Sequence, residues 1–179
     1  MTSLQSKLMR LYVRYTASKS DPDQSVPKKR AKLEKDAEGI VRMPRGVSVR
    51  SFQAGNVPAE WLEPDAARKE TVILYLHGGS YILGSPRTHR GLAGSIALAS
   101  RSPGLVVDYR LAPENPFPAA LDDALSAYTW LLDQGFAPQH IVIGGDSAGG
   151  AWQSPRPLPC VRGVSHCPRR CFASRPGLT

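Results

Sequence analysis

No apolar run among these 179 residues approaches the roughly 20 that a membrane-spanning helix requires, so a helical membrane protein is excluded. Nor does the N-terminus read as a secretory signal, because Lys7, Arg10 and Arg14 interrupt its only apolar stretch. A reducing cytoplasm is therefore the expected compartment. Cysteine is scarce: there are three, an odd number that does not suit a disulfide framework. Gly and Pro, 16 of each, follow no collagen-like period, and no internal repeat is present. What remains is a length that suits one domain with a sizeable core.

Acidic residues are missing from one region altogether. Residues 151–179 hold no Asp, Glu or Lys, but all three Cys (Cys160, Cys167, Cys171) and five Arg. Those five account for much of the net charge of +8; residues 1–150 carry only +3, an ordinary soluble balance. The basicity thus belongs partly to the tail and does not point to a nucleic-acid partner.

Along the chain, Leu4, Leu8, Leu11, Tyr12 and Tyr15 recur at helical spacing and predict an amphipathic first helix. Lys28 to Glu38 reads as a second, charged helix with a solvated face. The rhythm then changes. Val47 to Phe52 alternates with period two, and Pro58 to Leu62 is its expected hairpin partner. Val72–Leu76, Leu105–Val107 and Ile141–Ile143 are short continuous apolar runs, as in parallel strands buried on both faces. Helical patterns lie between them: Arg87 to Ser100, then Ala119 to Gln134 with Leu121, Leu125, Tyr128 and Leu132 on one stripe. Strand alternating with helix predicts an α/β fold, a mostly parallel sheet flanked by helices. The tail from Ala151 shows neither period, and its prolines (155, 157, 159, 168, 176) exclude a helix or central strand over most of its length.

Chemistry concentrates at two strand ends. Gly145-Asp146-Ser147-Ala148-Gly149-Gly150 follows Ile141–Gly144, and a Gly-x-Ser-x-Gly there is a nucleophile elbow or, read alone, a glycine-rich phosphate turn. In an elbow the Ser sits in a strained turn whose flanking positions, Gly145 and Gly149, must be small. His77-Gly78-Gly79-Ser80-Tyr81 follows Val72–Leu76 and favours the elbow. Its glycines let backbone N–H groups approach a substrate, so Gly78 and Gly79, with Ala148, are the expected oxyanion donors. His77 is read as support for the glycine loop, since the elbow fold takes its base from after the Ser. Asp108 to Asp123 reads as scaffold, with Asp108 and Glu114 expected to pair with Arg110. No metal site is expected.

These stretches resemble the hormone-sensitive lipase-like branch of the α/β-hydrolases, bacterial esterases marked by His-Gly-Gly and Gly-Asp-Ser-Ala-Gly. The string Tyr109-Arg110-Leu111-Ala112-Pro113-Glu114 makes the resemblance specific. The stretch from Val47 through Gly55 to Pro86-Arg87-Thr88-His89-Arg90 is similar to acetyl-hydrolase and ε-lactone-hydrolase members. The resemblance implies an esterase on short acyl esters or lactones, with a Ser-Asp-His triad and no cofactor. It also implies a helical cap segment (1–45) and a partial hydrolase core ending at the elbow (46–150). The proline-rich residues 151–179 lie outside the pattern and are expected to be disordered and out of frame. Ser80 departs from the family, which usually has a third Gly.

The pattern then stops. Triad partners follow the nucleophile in this fold, yet no Asp or Glu occurs after Asp146 and the only later His is His166. A complete triad cannot be assembled. Back-translated with suitable synonymous codons, residues 151–157 encode Leu-Ala-Ile-Ala-Thr-Pro when read from the third base. Residues 174–179 give Ser-Pro-Trp-Thr-Asp in that same frame, similar to the family's next strand end. The expectation is a frameshift near Gly150. Rival readings make the chain a non-catalytic binding fragment, or make the tail a zinc or nucleic-acid module through Cys160, His166, Cys167, Cys171 and its arginines. The spacing from Cys160 to Cys167 is poor for zinc.

Overall fold

A computed structural model describes residues 25–68, 70–153 and 170–174. The predicted first helix, and Cys160, His166 and Cys167, lie outside them. The described chain runs α1 (Val26–Ile40), β1 (Val47–Ala54), β2 (Val57–Pro64), β3 (Val72–Leu76), α2 (Pro86–Ser100), β4 (Gly104–Val107), α3 (Ala119–Asp133), β5 (Ile141–Asp146) and β6 (Arg170–Ser174). Short 3-10 helices occupy Pro138–His140 and Ser147–Gln153.

The sheet order is β1-β2-β4-β3-β5-β6. β1 and β2 form the expected antiparallel hairpin, and β2 joins β4 antiparallel. From β4 to β6 every pairing is parallel. Alternation across the sheet then builds two cores. Val72, Leu74 and Leu76 point into a cluster closed by Leu121, Ala124, Leu125, Tyr128 and Leu131 of α3. Ile73 and Tyr75 point the other way, toward Val106, Leu62 and Ala93 of α2. Burying each large side chain contributes about 1.5–3 kcal/mol, so a strand apolar on both faces is held by both helices. Leu132, expected on the α3 stripe, is only half-buried; Leu131 takes the core position.

Two expectations are corrected here. The tail was expected to supply no strand, but Arg170–Ser174 lies against β5, with Ile143 opposite Cys171 and Gly144 opposite Phe172. The reason is local: no Pro falls between Pro168 and Pro176, so this window keeps its ladder donors. Arg110 does not pair with Asp108 or Glu114. Its guanidinium grips Asp123 on α3 at 2.8–3.0 Å, because the strand-end turn carries it over the first turns of that helix. Glu114 pairs instead with Arg30 of α1 at 2.8 Å.

Candidate active site

Register places the two motifs side by side. Leu76 is opposite Gly145, so the residues after β3 and those after β5 emerge together at the carboxyl end of the parallel strands. Open α/β sheets bind ligands at that end. Ser147 begins the 3-10 helix with φ +49° and an exposed side chain. A non-Gly residue there is strained by about 1–3 kcal/mol, which a sharp strand-to-helix turn imposes. The small flanking residues have a physical reason as well. A Cβ on either Gly145 or Gly149 would run into the Leu76 carbonyl oxygen.

The loop after β3 is also wound left-handed, with φ +120° at Gly79, +56° at Ser80 and +60° at Tyr81. The Gly79 carbonyl accepts from Ile82 N–H (3.0 Å) and Leu83 N–H (2.9 Å), which closes a tight turn. Among the described residues, the N–H groups of Gly79 and Ser80 have no acceptor. Ala148 N–H lies in the first turn of the 3-10 helix, where no carbonyl of that helix can reach it. Tyr81 ties loop to elbow, its hydroxyl donating to Ala148 O at 2.9 Å.

Gly78 stands differently from the expectation. Its N–H donates to Asp146 Oδ1 at 3.0 Å, so it is not free to serve as an oxyanion donor. The same carboxylate oxygen accepts from the Tyr75 hydroxyl at 2.9 Å. The second oxygen faces His89 Nε2 at 3.5 Å. Burial alone would raise the Asp146 carboxyl, but His89, Tyr75 and the Gly78 N–H together hold it down at about 2. Burial, reinforced by the Asp146 charge, pushes the Tyr75 phenol well above its ordinary range.

His77 is fully buried. Its Nδ1 lies 2.8 Å from the Gly78 carbonyl, which only accepts, so Nδ1 carries the proton. Its ring stacks between Tyr109 (4.2 Å between centroids) and His89 (5.3 Å). Tyr109 in turn donates its hydroxyl to His77 O at 2.6 Å. Burial lowers His77 to about 4, leaving the ring neutral near pH 7. The ring is thus sealed and faces its own loop.

Sequence reading missed Asp146, Tyr75 and His89 as parts of this site. The elbow string contains Asp146, but its partner Gly78 is 68 residues away and only register brings them together. A groove of about 590 Å³ lined by Glu34, Phe52, Glu60, Ser85, Arg87 and Asp108 flanks the site but includes none of residues 77–81 or 146–148. Among the described residues no three His, Cys, Asp or Glu side chains converge as metal ligands, and no helix is long and apolar enough to cross a membrane.

Comparison with known proteins agrees with this fold. The family model described as alpha/beta hydrolase fold matches residues 73–153. An acetyl-hydrolase of Streptomyces hygroscopicus is 45% identical over 64% of this chain and 37% of its own length. A carboxylesterase/phospholipase of Mycobacterium tuberculosis is 38% identical over 63% of this chain and 30% of its own. Among solved structures, an esterase from the bacterial hormone-sensitive lipase family superposes with a TM-score of 0.83 at 35% identity, covering 97% of this chain and 58% of that one. A hormone-sensitive lipase from a metagenome library gives 0.85 at 35% identity, covering 96% and 57%. The chain thus spans between about a third and somewhat over half of these relatives. It carries the N-terminal portion of an α/β-hydrolase fold and is similar over that portion to the hormone-sensitive lipase-like branch of bacterial esterases.

Proposed function

We propose that this chain supplies the nucleophile and oxyanion half of a site that hydrolyses short acyl esters or lactones. One observation carries the reading: an exposed Ser147 in a strained strand-to-helix turn, beside a left-handed loop whose Gly79 and Ser80 N–H groups are unspent. Ser147 Oγ attacks the ester carbonyl carbon, and the carbonyl oxygen becomes an oxyanion. The N–H groups of Gly79, Ser80 and Ala148 receive it, with Ser80 replacing Gly78 in the donor set expected from sequence. Such donors stabilise the tetrahedral intermediate more than the planar ester, which is why they accelerate the step. His77 props the loop by donating Nδ1–H to Gly78 O.

Among the described residues no side chain is placed to take the Ser147 proton, which passes to solvent water. Collapse of the tetrahedral intermediate breaks the ester C–O bond and expels the alcohol or phenolate, leaving acyl-Ser147. No carboxylate follows Asp146 in this chain, His77 is sealed, and His89 faces Asp146. Acylation should therefore be slow, driven by oxyanion donors alone, and turnover close to background. Incubation with p-nitrophenyl acetate, followed by peptide mass spectrometry, tests this. A slow acetyl adduct on Ser147, absent from Ser147→Ala, is the expected result. A non-catalytic binding fragment, favoured by the missing acid and base, would give no adduct. Fast turnover dependent on Ser147 would show that another residue supplies the base.

A further inference from the structure

We propose that Asp146 is a positioning residue, whose carboxylate fixes the oxyanion loop against the nucleophile by accepting the Gly78 N–H while His89 holds its second oxygen. The inference rests on the reading of Ser147 as nucleophile. Three observations carry it. Asp146 is the residue before Ser147, so its side chain moves with the elbow. Gly78 is the first residue past His77, so its N–H moves with the loop. The 3.0 Å hydrogen bond between them joins the nucleophile turn directly to the oxyanion loop.

The carboxylate is itself over-determined. Tyr75 OH reaches the same oxygen from β3 at 2.9 Å, and His89 reaches the other from the first turn of α2 at 3.5 Å. His89 is fixed in turn: its Nδ1 lies 3.2 Å from Ser85 O and 2.7 Å from Thr88 Oγ1, within a capping box formed by Ser85 and Thr88. Elbow, glycine loop and α2 therefore meet at one side chain. The arrangement also explains why residue 78 is glycine. A Cβ there would strike Asp146 Oδ2, so the missing side chain makes room for the carboxylate rather than for substrate. Because oxyanion donors act only at the right distance, an unpinned loop loses rate even with every donor present.

The test compares full-length wild type, Asp146→Ala, Asp146→Asn, Gly78→Ala and the Gly78→Ala/Asp146→Ala pair. Two quantities are read: the rate of Ser147 acetylation by p-nitrophenyl acetate, and amide hydrogen exchange over residues 78–84. Asp146→Ala should slow acetylation by about 10- to 100-fold and speed exchange in that loop. Asp146→Asn keeps an Oδ1 acceptor for Gly78 N–H and should stay within about threefold of wild type. Gly78→Ala should be less damaging in the Asp146→Ala background than alone, since the two side chains compete for one space. A folded Asp146→Ala protein with wild-type exchange and acetylation overturns the proposal, as does an Asp146→Asn variant no better than the alanine. Should Asp146→Ala not fold, the asparagine comparison decides. Absence of any Ser147 adduct in wild type defeats the nucleophile reading instead, and loop exchange then still tests the strut.

Discussion

A buried neutral histidine makes this fold sensitive to acid in a defined window. His77 sits at about 4 in the folded chain because burial disfavours its charged form, against 6.5 when exposed. Between those values the unfolded chain binds a proton that the folded chain does not. Stability contributed by His77 is therefore full above 6.5 and is lost as the pH falls toward 4. The shift corresponds to about 3 kcal/mol at full development. Denaturant melts between pH 7 and pH 4 should show stability falling through this window, with the slope reduced in His77→Asn. Asparagine can still donate to the Gly78 carbonyl but does not titrate. An unchanged slope would mean that some other group carries the acid sensitivity. Asp146 acts lower: between its ordinary value of 3.8 and its folded value of about 2 the unfolded chain takes up the proton first, so the stability it contributes is lost across that range.

At the scale of elements, charge rather than apolar contact joins several pieces. Glu60 of β2 is almost wholly buried and meets Arg90 of α2 at 2.7 Å, yet burial still raises its carboxyl above the ordinary value. Arg90→Met leaves that carboxylate buried without its cation and should cost about 2–3 kcal/mol, less than for a fully buried pair because Arg90 is partly exposed. Glu60→Gln/Arg90→Met should recover most of the loss in thermal melts; if the double variant is as unstable as the single, the pair is not the coupling. Such links were invisible in sequence, whereas apolar periodicity was plain. The continuous run Val72–Leu76 gave β3 its bounds, and the alternation from Val47 and the stripe of α3 gave the hairpin and helix. β5 extends past Ile143 through Gly144 and Gly145 to Asp146, because glycine interrupts the apolar signal without interrupting the backbone ladder. Among residues of the proposed site, Ser147, Gly79, Ala148 and His77 were legible from two strand-end motifs. Asp146 and His89 were not, since their meaning lies in which strand neighbours which. Arg110 was misassigned for the same reason: its partner Asp123 was in view, but nearer carboxylates in the loop drew the pairing.

For the molecule as a whole, the telling feature is the strand beyond β5. From sequence, no strand was expected from the proline-rich tail, which had no period to read; the pairing of Arg170–Ser174 covers the outer edge of β5. An uncovered apolar strand is a template for pairing with another chain, so this short ladder bears on solubility as much as on fold. Successive N–H groups along a strand point to opposite sides, and a parallel ladder therefore uses every second one. Replacing two consecutive residues, Cys171→Pro/Phe172→Pro, must remove a donor facing β5 whichever way the strand is phased, and proline cannot restore it. The expected outcome is loss of the β6 ladder and conversion of monomer to larger species in size-exclusion chromatography at micromolar concentration. Light scattering should rise with chain concentration, because exposed β5 edges associate pairwise. A double-proline variant that elutes and melts as wild type does would show that β6 adds nothing to the sheet, and that the strands from β1 to β5 stand without it.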